Sequence, residues 1–328
     1  MAIHYHDGKI VTGSDDHTVK VWDCHTEECG FTLHTQTVSD VRLENNFIYT
    51  SSFDGSAESW QIPQGFHKRY IGHVSAVFSI DICLELSILV SGSADLTMKV
   101  WDISSAQLLA TLAGHHKGWV VKVKVLSHGP NHPYTLVSAD KKICCIWEMS
   151  FDHQVSQVQL VHHPDHQIVP HLLFKGTHLM RICFMSDDGK HGFINTYRLD
   201  HNLTLIKHHK LPHSVLCVQL LLGVGSKFAL VLNKMYGEEY LSVFKLHNNK
   251  LIMRKPFPAI RPTSGGTSVT VGPTDWLDGF TSDPPTGVVL GACLKNHNIY
   301  LLKWNCEIPE DAEEQFLKIP VRVNIPFN

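Results

Sequence analysis

Serine, histidine and aspartate, the side chains of a hydrolase triad, occur together more than once in this chain. The two clearest sets are His73, Ser91 and Asp95, and His34, Thr50 and Asp54. A catalytic nucleophile needs one site with its own oxyanion hole, whereas these sets recur at a regular spacing. No G-x-S-x-G, glycine-rich phosphate loop or H-E-x-x-H pattern accompanies them. We therefore predict a structural role for these residues, no catalytic site, no enzymatic activity and no cofactor.

A short group of histidines could bind zinc through its imidazoles. It consists of His162, His163 and His166, among 24 histidines in the chain. The side chains of adjacent histidines diverge, however, and no cysteine stands at ligand spacing. Solvated histidines on a loop are the interpretation that we prefer, so no metal site is predicted. A stoichiometric, chelator-sensitive zinc ion would overturn it.

The charge balance argues against a nucleic-acid partner. The 328 residues include 28 Lys and Arg against 31 Asp and Glu, a formal charge of −3, which gives no field to hold a polyanion. Nine cysteines without a CxxC pair predict free, mostly buried thiols in a reducing compartment. The first residues form no secretory signal, so we predict a cytoplasmic protein, with the nucleus as an alternative.

The longest apolar run, 215–232, contains Gln219, Ser226 and Lys227. A membrane-spanning helix of about 20 residues rarely accepts such a set, whereas two adjacent strands with a glycine turn between them do. We therefore predict two strands here and no membrane partner.

The chain repeats one unit several times. TGSDDHTVKVWD (12–23), TSSFDGSAESWQ (50–61) and SGSADLTMKVWD (91–102) are copies of it, and VSADKKICCIWE (137–148) is a looser copy. Each unit has two apolar runs around a Gly, Ser or Asp turn, which predicts paired strands. The aromatic residues that mark seven units are Trp22, Trp60, Trp101, Trp147, Tyr197, Phe244 and Trp304. Seven such units predict an all-β, seven-bladed β-propeller over residues 1–304.

These units resemble the WD-repeat family, in which four-stranded blades surround a central channel. The resemblance implies a hydrogen-bonded relay from a histidine to an aspartate, then to a serine or threonine, then to the tryptophan. The assigned residues are Asp16, Thr12 and Trp22; His34, Asp54, Thr50 and Trp60; His73, Asp95, Ser91 and Trp101; and His116, Asp140, Ser138 and Trp147. The histidine of the first set would precede Met1, and His115 is the alternative to His116. Ser138 is out of place in this alignment, because Leu136 stands where other units have serine or threonine.

Residues 72–123 and the late segments TDWLDGF and TGVVLGACLKNHNIYLLKW resemble the F-box/WD-repeat proteins, which are substrate-binding subunits of cullin-RING (SCF) ubiquitin ligases. In that family an F-box before the first repeat docks the ligase adaptor, and the propeller presents the substrate. This chain begins inside the first unit, so we expect an adaptor partner only if an F-box lies upstream, and the chain would then be a fragment or a short isoform. A WD-repeat scaffold unconnected with ubiquitin is the alternative.

The family also implies a partner-binding rim around the channel, with two positions in each blade. Those positions carry Asp15, Ser39, Phe53, Phe78, Ala94, Val121 and Ala139. Members that read phosphorylated segments tend to place arginine there, because a guanidinium matches a phosphate, and none of these seven is arginine. We therefore predict a protein substrate bound through a mainly hydrophobic segment, with Phe53 and Phe78 as anchors. Packing between blades is the alternative for both rings.

The segment after the seventh unit, 305–328, contains an alternating run of β-branched residues over 316–325. Pro320 suits an outer strand, which tolerates the loss of one N–H donor. Such a strand would cover an edge that otherwise invites aggregation. We therefore predict that 316–325 is the outer strand of the seventh blade, with an unstructured tail as the alternative.

Overall fold

The computed structural model describes the chain from Ala2 to Leu302, with gaps. The description leaves out residues 1, 24–25, 27, 64, 66, 130–131, 176, 189–190, 200–202, 212–213, 222–227, 236–237, 246–249, 257–275, 284–287, 294–298 and 303–328. Up to Leu211 it includes the side chains, apart from those of 5, 34, 169–171, 173 and 175. Beyond Leu211 it covers the strand backbone alone.

The described residues form β-strands, and consecutive strands pair antiparallel. Four sheets of four strands lie in the first half of the chain. They are β1 Ala2–His6, β2 Lys9–Gly13, β3 Thr18–Asp23 and β4 Cys29–His34; β5 Val38–Glu44, β6 Phe47–Ser52, β7 Ser56–Gln61 and β8 His67–Ile71; β9 Val77–Cys83, β10 Ile88–Ser93, β11 Met98–Asp102 and β12 Leu108–Leu112; and β13 Lys122–Leu126, β14 Tyr134–Ala139, β15 Ile143–Met149 and β16 Val155–His162.

Three further sheets follow. They are β17 His166–Lys175, β18 Leu179–Ser186, β19 Gly192–Arg198 and β20 Thr204–Leu211; β21 Ser214–Leu221, β22 Phe228–Met235, β23 Glu238–Lys245 and β24 Lys250–Pro256; and the three described strands β25 Trp276–Asp283, β26 Val288–Cys293 and β27 Ile299–Leu302. Six of the predicted marker aromatics, from Trp22 to Phe244, lie on the third strand of successive sheets. Trp304 and the predicted closing strand at 316–325 lie outside the described residues.

The chain divides into two compact units. The first comprises Met1–Met180 and Tyr197–Thr204, and the second comprises Arg181–Thr196 and Leu205–Asn328. In the first unit, aliphatic side chains of neighbouring sheets form shared cores, such as the cluster that joins Val90 and Val100 to Val123 and Leu136. In the second unit, the rings of Phe184 and Phe193 stack with their centroids 4.9 Å apart.

The third sheet packs between the second and the fourth sheets, so its central strands are buried on both faces. All six residues of β10 are buried, which explains its run of apolar and small residues. Gly92 is required by the close approach of the next sheet, since a Cβ there would lie 2.7 Å from Val120 Cγ1. Gly13 is required in the same way, because its Cβ would lie 2.3 Å from Val38 Cγ1.

The predicted all-β class is confirmed, and the apolar run at 215–232 includes the paired strands β21 and β22, as predicted. No helix in the described part of the chain is long and apolar enough to cross a membrane. Five cysteines in this part are free thiols: Cys29, Cys83, Cys144, Cys145 and Cys183. Burial raises the pKa of the Cys145 thiol to about 12, which makes this thiol unreactive at neutral pH.

Candidate functional site

The third sheet holds a continuous chain of four hydrogen-bonded side chains. His73 Nδ1 lies 2.7 Å from Asp95 Oδ2, and His73 Nε2 lies 2.8 Å from Ser91 Oγ. Trp101 Nε1 donates to the same Ser91 oxygen at 2.8 Å. The order differs from the predicted relay, because the histidine, and not the aspartate, contacts the serine. An imidazole has a nitrogen on each edge of its ring and can therefore bridge two partners.

Burial lowers the pKa of His73, against the raising effect of the Asp95 carboxylate, so the neutral imidazole is the form to consider at pH 7. Its Nδ1–H then donates to Asp95, and its Nε2 accepts from the Ser91 hydroxyl. Burial alone would raise the pKa of Asp95, but hydrogen bonds from Thr97 and His73 hold it below its ordinary value. Each buried polar group of this four-residue relay therefore has a hydrogen-bond partner within the protein.

The fourth sheet repeats this arrangement with His116, Asp140, Ser138 and Trp147. His116 lies 3.1 Å from Asp140 Oδ2 and 2.7 Å from Ser138 Oγ, which accepts from Trp147 Nε1 at 2.8 Å. Ser138 is therefore correctly placed, and the doubt about it came from counting back from the aspartate. Leu136 lies opposite Trp147 as Leu89 lies opposite Trp101.

Among the described residues of the first sheet, only the bond between the tryptophan and the hydroxyl side chain of the relay is formed. Trp22 Nε1 donates to Thr12 Oγ1 at 3.1 Å. Asp16, which is exposed, instead accepts from the backbone N–H of Thr18 at 2.9 Å and from its hydroxyl at 2.7 Å. The carboxylate thus stabilises the turn between β2 and β3.

The predicted relay of the second sheet is not formed as proposed. The buried Trp60 Nε1 has no hydrogen-bond partner among the described residues, because the indole stacks on His67 at 3.9 Å between ring centroids. Asp54 accepts from Ser56 and forms an ion pair with Arg69. Thr50 is buried, and the side chain of His34 lies outside the description.

Two of the predicted rim residues belong to a row of three aromatic rings, Phe53, Phe78 and Trp119, here called the aromatic rim, in which Phe78 is half-buried. Phe53 and Phe78 meet edge to face with centroids 5.8 Å apart, and Phe78 stacks on Trp119 at 5.4 Å. Phe53 is 50% exposed and Trp119 is 59% exposed. Sequence reasoning missed Trp119, although its position directly after a glycine, three residues beyond the relay histidine His116, was an available signal.

The other predicted rim positions differ from one another. Asp15 is exposed, and Ala94 and Val121 are half-buried. Ser39 is half-buried, and its hydroxyl donates to the Val77 carbonyl. Ala139 is fully buried, so its assignment to the rim is wrong. As the last residue of β14, directly before the turn at Asp140, it is enclosed by its own sheet and the neighbouring loop.

A third feature links the first four sheets through their first strands, which pack in the series β1, β5, β9 and β13. A side chain on one strand accepts a backbone N–H from the next. His4 Nδ1 accepts from Leu43 at 3.1 Å, Asp40 Oδ2 from Ile80 at 3.1 Å, and Asp81 Oδ2 from Val125 at 2.9 Å. We call these the cross-strand bonds.

Basic side chains neutralise the two buried carboxylates of this series. Arg42 lies 2.6 Å from Asp40 and 3.6 Å from Asp81, and Lys124 lies 3.0 Å from Asp81. Burial would raise the pKa of Asp40, but the charges of Arg42 and Lys122 lower it below its ordinary value. The Asp40 carboxylate therefore remains ionised, and both aspartates hold neighbouring strands together.

The His73 and His116 sets share the Asp–His–Ser hydrogen-bond order of a triad, but neither serine is accessible to a substrate. The Ser91 and Ser138 hydroxyls are fully buried, and each already accepts from an indole and contacts an imidazole. His163 and His166 contact each other through their Nδ1 atoms at 2.7 Å. Among the described residues, no group of three or more His, Cys, Asp and Glu side chains could hold a metal ion. The accessible chemistry is that of a binding surface.

Comparisons with known proteins agree in relating this chain to WD-repeat proteins. A family model described as WD domain, G-beta repeat matches residues 1–23 and 65–102. The chain is 33% identical over 315 residues to F-box/WD repeat-containing protein 2 of Rattus norvegicus, and the match covers 92% of this chain and 66% of that protein. The protein of the same name from Homo sapiens gives the same identity and coverage. The chain thus spans 66% of the length of these relatives.

Other proteins match over shorter stretches of the chain. Apoptotic protease-activating factor 1 of Homo sapiens is 34% identical over 110 residues, which are 33% of this chain and 9% of that protein. Among solved structures, the WD40 β-propeller domain of Doa1 is similar with a TM-score of 0.64 at 17% identity, and the match covers 92% of this chain and 90% of that domain. This likeness shows the fold.

Proposed function

We propose, from the premise that the chain belongs to the WD-repeat β-propeller proteins, that it recognises a protein partner through the aromatic rim and catalyses no reaction itself. The observation that carries this proposal is the contact of the half-buried Phe78 with the exposed rings of Phe53 and Trp119. Exposed rings that touch one another on a folded surface are typical anchors of a protein interface. Asp140 of the fourth relay binds the loop that carries Trp119.

The chemistry of the rim favours an apolar segment of the partner. The three rings belong to three successive sheets or their loops, at residues 53, 78 and 119, so they form a row across sheet boundaries. Stacked and edge-to-face rings gain from burial of their faces and offer no fork for a phosphate. A hydrophobic or aromatic side chain of the partner would complete the row.

The finer proposal is that the partner is a substrate for ubiquitin transfer. It is supported by the 33% identity to F-box/WD repeat-containing protein 2, together with the role that the F-box/WD-repeat resemblance implies. Adaptor binding depends on an F-box in a longer form of the protein. A scaffold unconnected with ubiquitin is the second candidate, because the repeats are also similar to proteins whose names include no F-box.

Substitution of the rim rings tests the coarse proposal. Phe53→Ala, Phe78→Ala and Trp119→Ala should each weaken capture of the same partner proteins about tenfold or more, as expected for truncated anchors. The matched control is Phe151→Ala, since Phe151 is 49% exposed in the turn between β15 and β16. It should bind as wild type does. If the three rim variants capture the partner as strongly as Phe151→Ala and the wild type do, the aromatic rim is not the binding surface.

The fate of the captured partner separates the two candidates. If the protein recruits substrates to a ligase, cells lacking it should accumulate that partner in unmodified form, and Trp119→Ala should fail to restore its turnover. If it is a scaffold, the partner's half-life should be unchanged while the complex is lost. Both readouts use the longest natural form of the protein.

A further inference from the structure

The outermost strand of the fourth sheet has a free edge. This strand is β16, Val155–His162, and it pairs with β15 along its inner edge. No other strand in the described part of the chain pairs with its outer edge. A free strand edge presents unpaired N–H and C=O groups, with which another chain can align.

The other described outer strands are protected against such pairing. Three of them, β8, β20 and β24, carry lysine or arginine, and a second copy paired there would bring like charges together. Of the remaining two, β4 contains Gly30, which weakens a strand, and β12 is five residues long. By contrast, β16 has eight residues with no charged side chain, glycine or proline.

An apolar side chain lies exposed on this unprotected strand. Gln157 lies opposite Glu148 but Val155 lies opposite Met149, so Ser156 is the extra residue of a bulge, and the regular part of β16 begins after it. Leu160 lies in this regular part and is 47% exposed. A strand added at the outer edge would place a side chain directly beside Leu160 and remove apolar surface from water.

A second copy of this chain matches the edge by symmetry. When two copies of one strand pair antiparallel around a two-fold axis, one residue lies opposite its own copy, because paired residues share a face of the sheet. With the axis at Leu160, residues 158–162 of both copies pair, and the bulge stays outside the contact. Each Leu160 then covers the other. No like charges meet, because 158–162 contains no Asp, Glu, Lys or Arg.

We propose that the protein forms a symmetric dimer through β16, in which the four-stranded fourth sheets of two copies join into one continuous antiparallel sheet. Pairing of one short edge buries less surface than the about 1,200–2,000 Å² of a stable protein interface. The dimer is therefore weak, and its fraction depends on the protein concentration. β16 carries none of the aromatic rim residues, so this inference does not rest on the proposed function.

Sedimentation velocity of the full chain tests the proposal. We expect the wild type to be mainly monomeric at about 1 µM and mainly dimeric at about 100 µM, as for a dissociation constant between these values. Leu160→Lys and Leu160→Glu should each remain monomeric at both concentrations, because like charges would lie opposite each other at the axis. A wild-type protein that is monomeric at the higher concentration would overturn the proposal.

A mixture of the two variants tests the register. Leu160→Lys and Leu160→Glu in equal amounts should form a dimer again, because opposite charges then face each other. The matched control is Leu108→Lys, which changes a 45% exposed leucine on the outer strand β12 and should dimerise as the wild type does. Melting temperatures measured beside the sedimentation identify any variant that fails to fold. If folded Leu160→Lys still dimerises, or if the mixture stays monomeric, the assignment of the dimer contact to Leu160 is wrong.

Discussion

At the scale of the residue, the histidine is the hub of the two complete relays. His73 and His116 each bond a carboxylate through Nδ1 and a serine hydroxyl through Nε2. The same serine oxygen accepts a hydrogen bond from the indole N–H of the tryptophan. A buried tryptophan is thereby held in one orientation, which a purely apolar pocket would not enforce.

The contrast between Trp101 and Trp60 allows the indole hydrogen bond to be measured. Trp101→Phe removes the indole N–H that donates to Ser91 Oγ. Trp60→Phe removes an indole N–H that has no hydrogen-bond partner in the described part of the chain. Both changes lose the same ring atoms. We expect Trp101→Phe to lower the free energy of unfolding by about 1–3 kcal/mol more than Trp60→Phe does. Urea unfolding monitored by circular dichroism gives both values, and equal losses would contradict this role of the hydrogen bond.

The sequence predicts the members of the relays better than it predicts their contacts. The family resemblance named the members of the third and fourth relays, with His115 as an alternative to His116 and with Ser138 out of place in the alignment. It could not show that Trp60 would stack on His67, since His67 follows the turn after β7 and belongs to no repeat motif. Trp119 was missed because no repeat places an aromatic residue there. Its importance comes from the ring of Phe78 in a neighbouring sheet.

At the scale of the element, the turns between the second and third strands carry the carboxylates. Asp140 Oδ1 accepts from the N–H groups of Lys142 and Ile143 at 2.6 and 2.7 Å. Its Oδ2 accepts from those of Lys117 and Gly118, both at 3.3 Å. One side chain therefore ties the turn of the fourth sheet to the loop that carries Trp119.

Removal of this carboxylate should loosen both segments together. Asp140→Ala leaves four backbone N–H groups and an imidazole without their acceptor, so we expect a loss of about 3 kcal/mol or more in stability. Asp16 is exposed and accepts two hydrogen bonds from Thr18, so Asp16→Ala should cost less than about 1 kcal/mol.

Hydrogen exchange is the direct measurement for this prediction. In Asp140→Ala, the amides of Lys117, Gly118, Lys142 and Ile143 should exchange faster, and those of the first sheet should not. Faster exchange confined to Lys142 and Ile143 would show that the turn and the loop are independent, contrary to the hydrogen bonds described.

Turn length explains the misplaced expectation for Ser138. Four residues, 94–97, separate β10 from β11, whereas three, 140–142, separate β14 from β15. Asp95 is the second residue of its turn and lies four residues after Ser91, whereas Asp140 is the first residue of its turn and lies two residues after Ser138. Counting back from the aspartate therefore points two residues early in the fourth sheet. Leu89 and Leu136 lie opposite the tryptophans of their hairpins. The relay serine lies two residues after this leucine in both sheets. Strand periodicity is readable in the sequence, but the register of a hairpin depends on turn geometry.

At the scale of the whole molecule, the cross-strand bonds make stability depend on pH. His4 Nδ1 can accept from Leu43 only while it is unprotonated. Burial, reinforced by the nearby Arg42, lowers the pKa of His4 well below 6.5. The unfolded chain takes up a proton near pH 6.5 while the folded chain does not, so the free energy of unfolding is highest above that pH and falls as the pH falls.

Urea unfolding at pH 7.5, 6.5 and 5.5 should show this decline in the wild type. His73, whose pKa is also lowered by burial, contributes with the same sign. His4→Asn keeps an acceptor for the Leu43 N–H but cannot be protonated, so its stability should decline less over the same range. Parallel curves for the variant and the wild type would show that His4 has no part in the effect.

The direction of the cross-strand bonds matters while the protein is being synthesised. In each of the three, the acceptor belongs to the earlier strand and the N–H to the later one. Ribosomes extend a chain by about 5–20 residues per second, whereas a hairpin forms in about 1–10 microseconds. A newly folded sheet therefore waits for seconds with a hydrated imidazole or carboxylate at its open flank, which discourages association with other nascent chains. We expect Asp40→Leu to increase the aggregation of ribosome-stalled chains in which the second sheet is the last to emerge, and to have less effect once the third sheet has covered it.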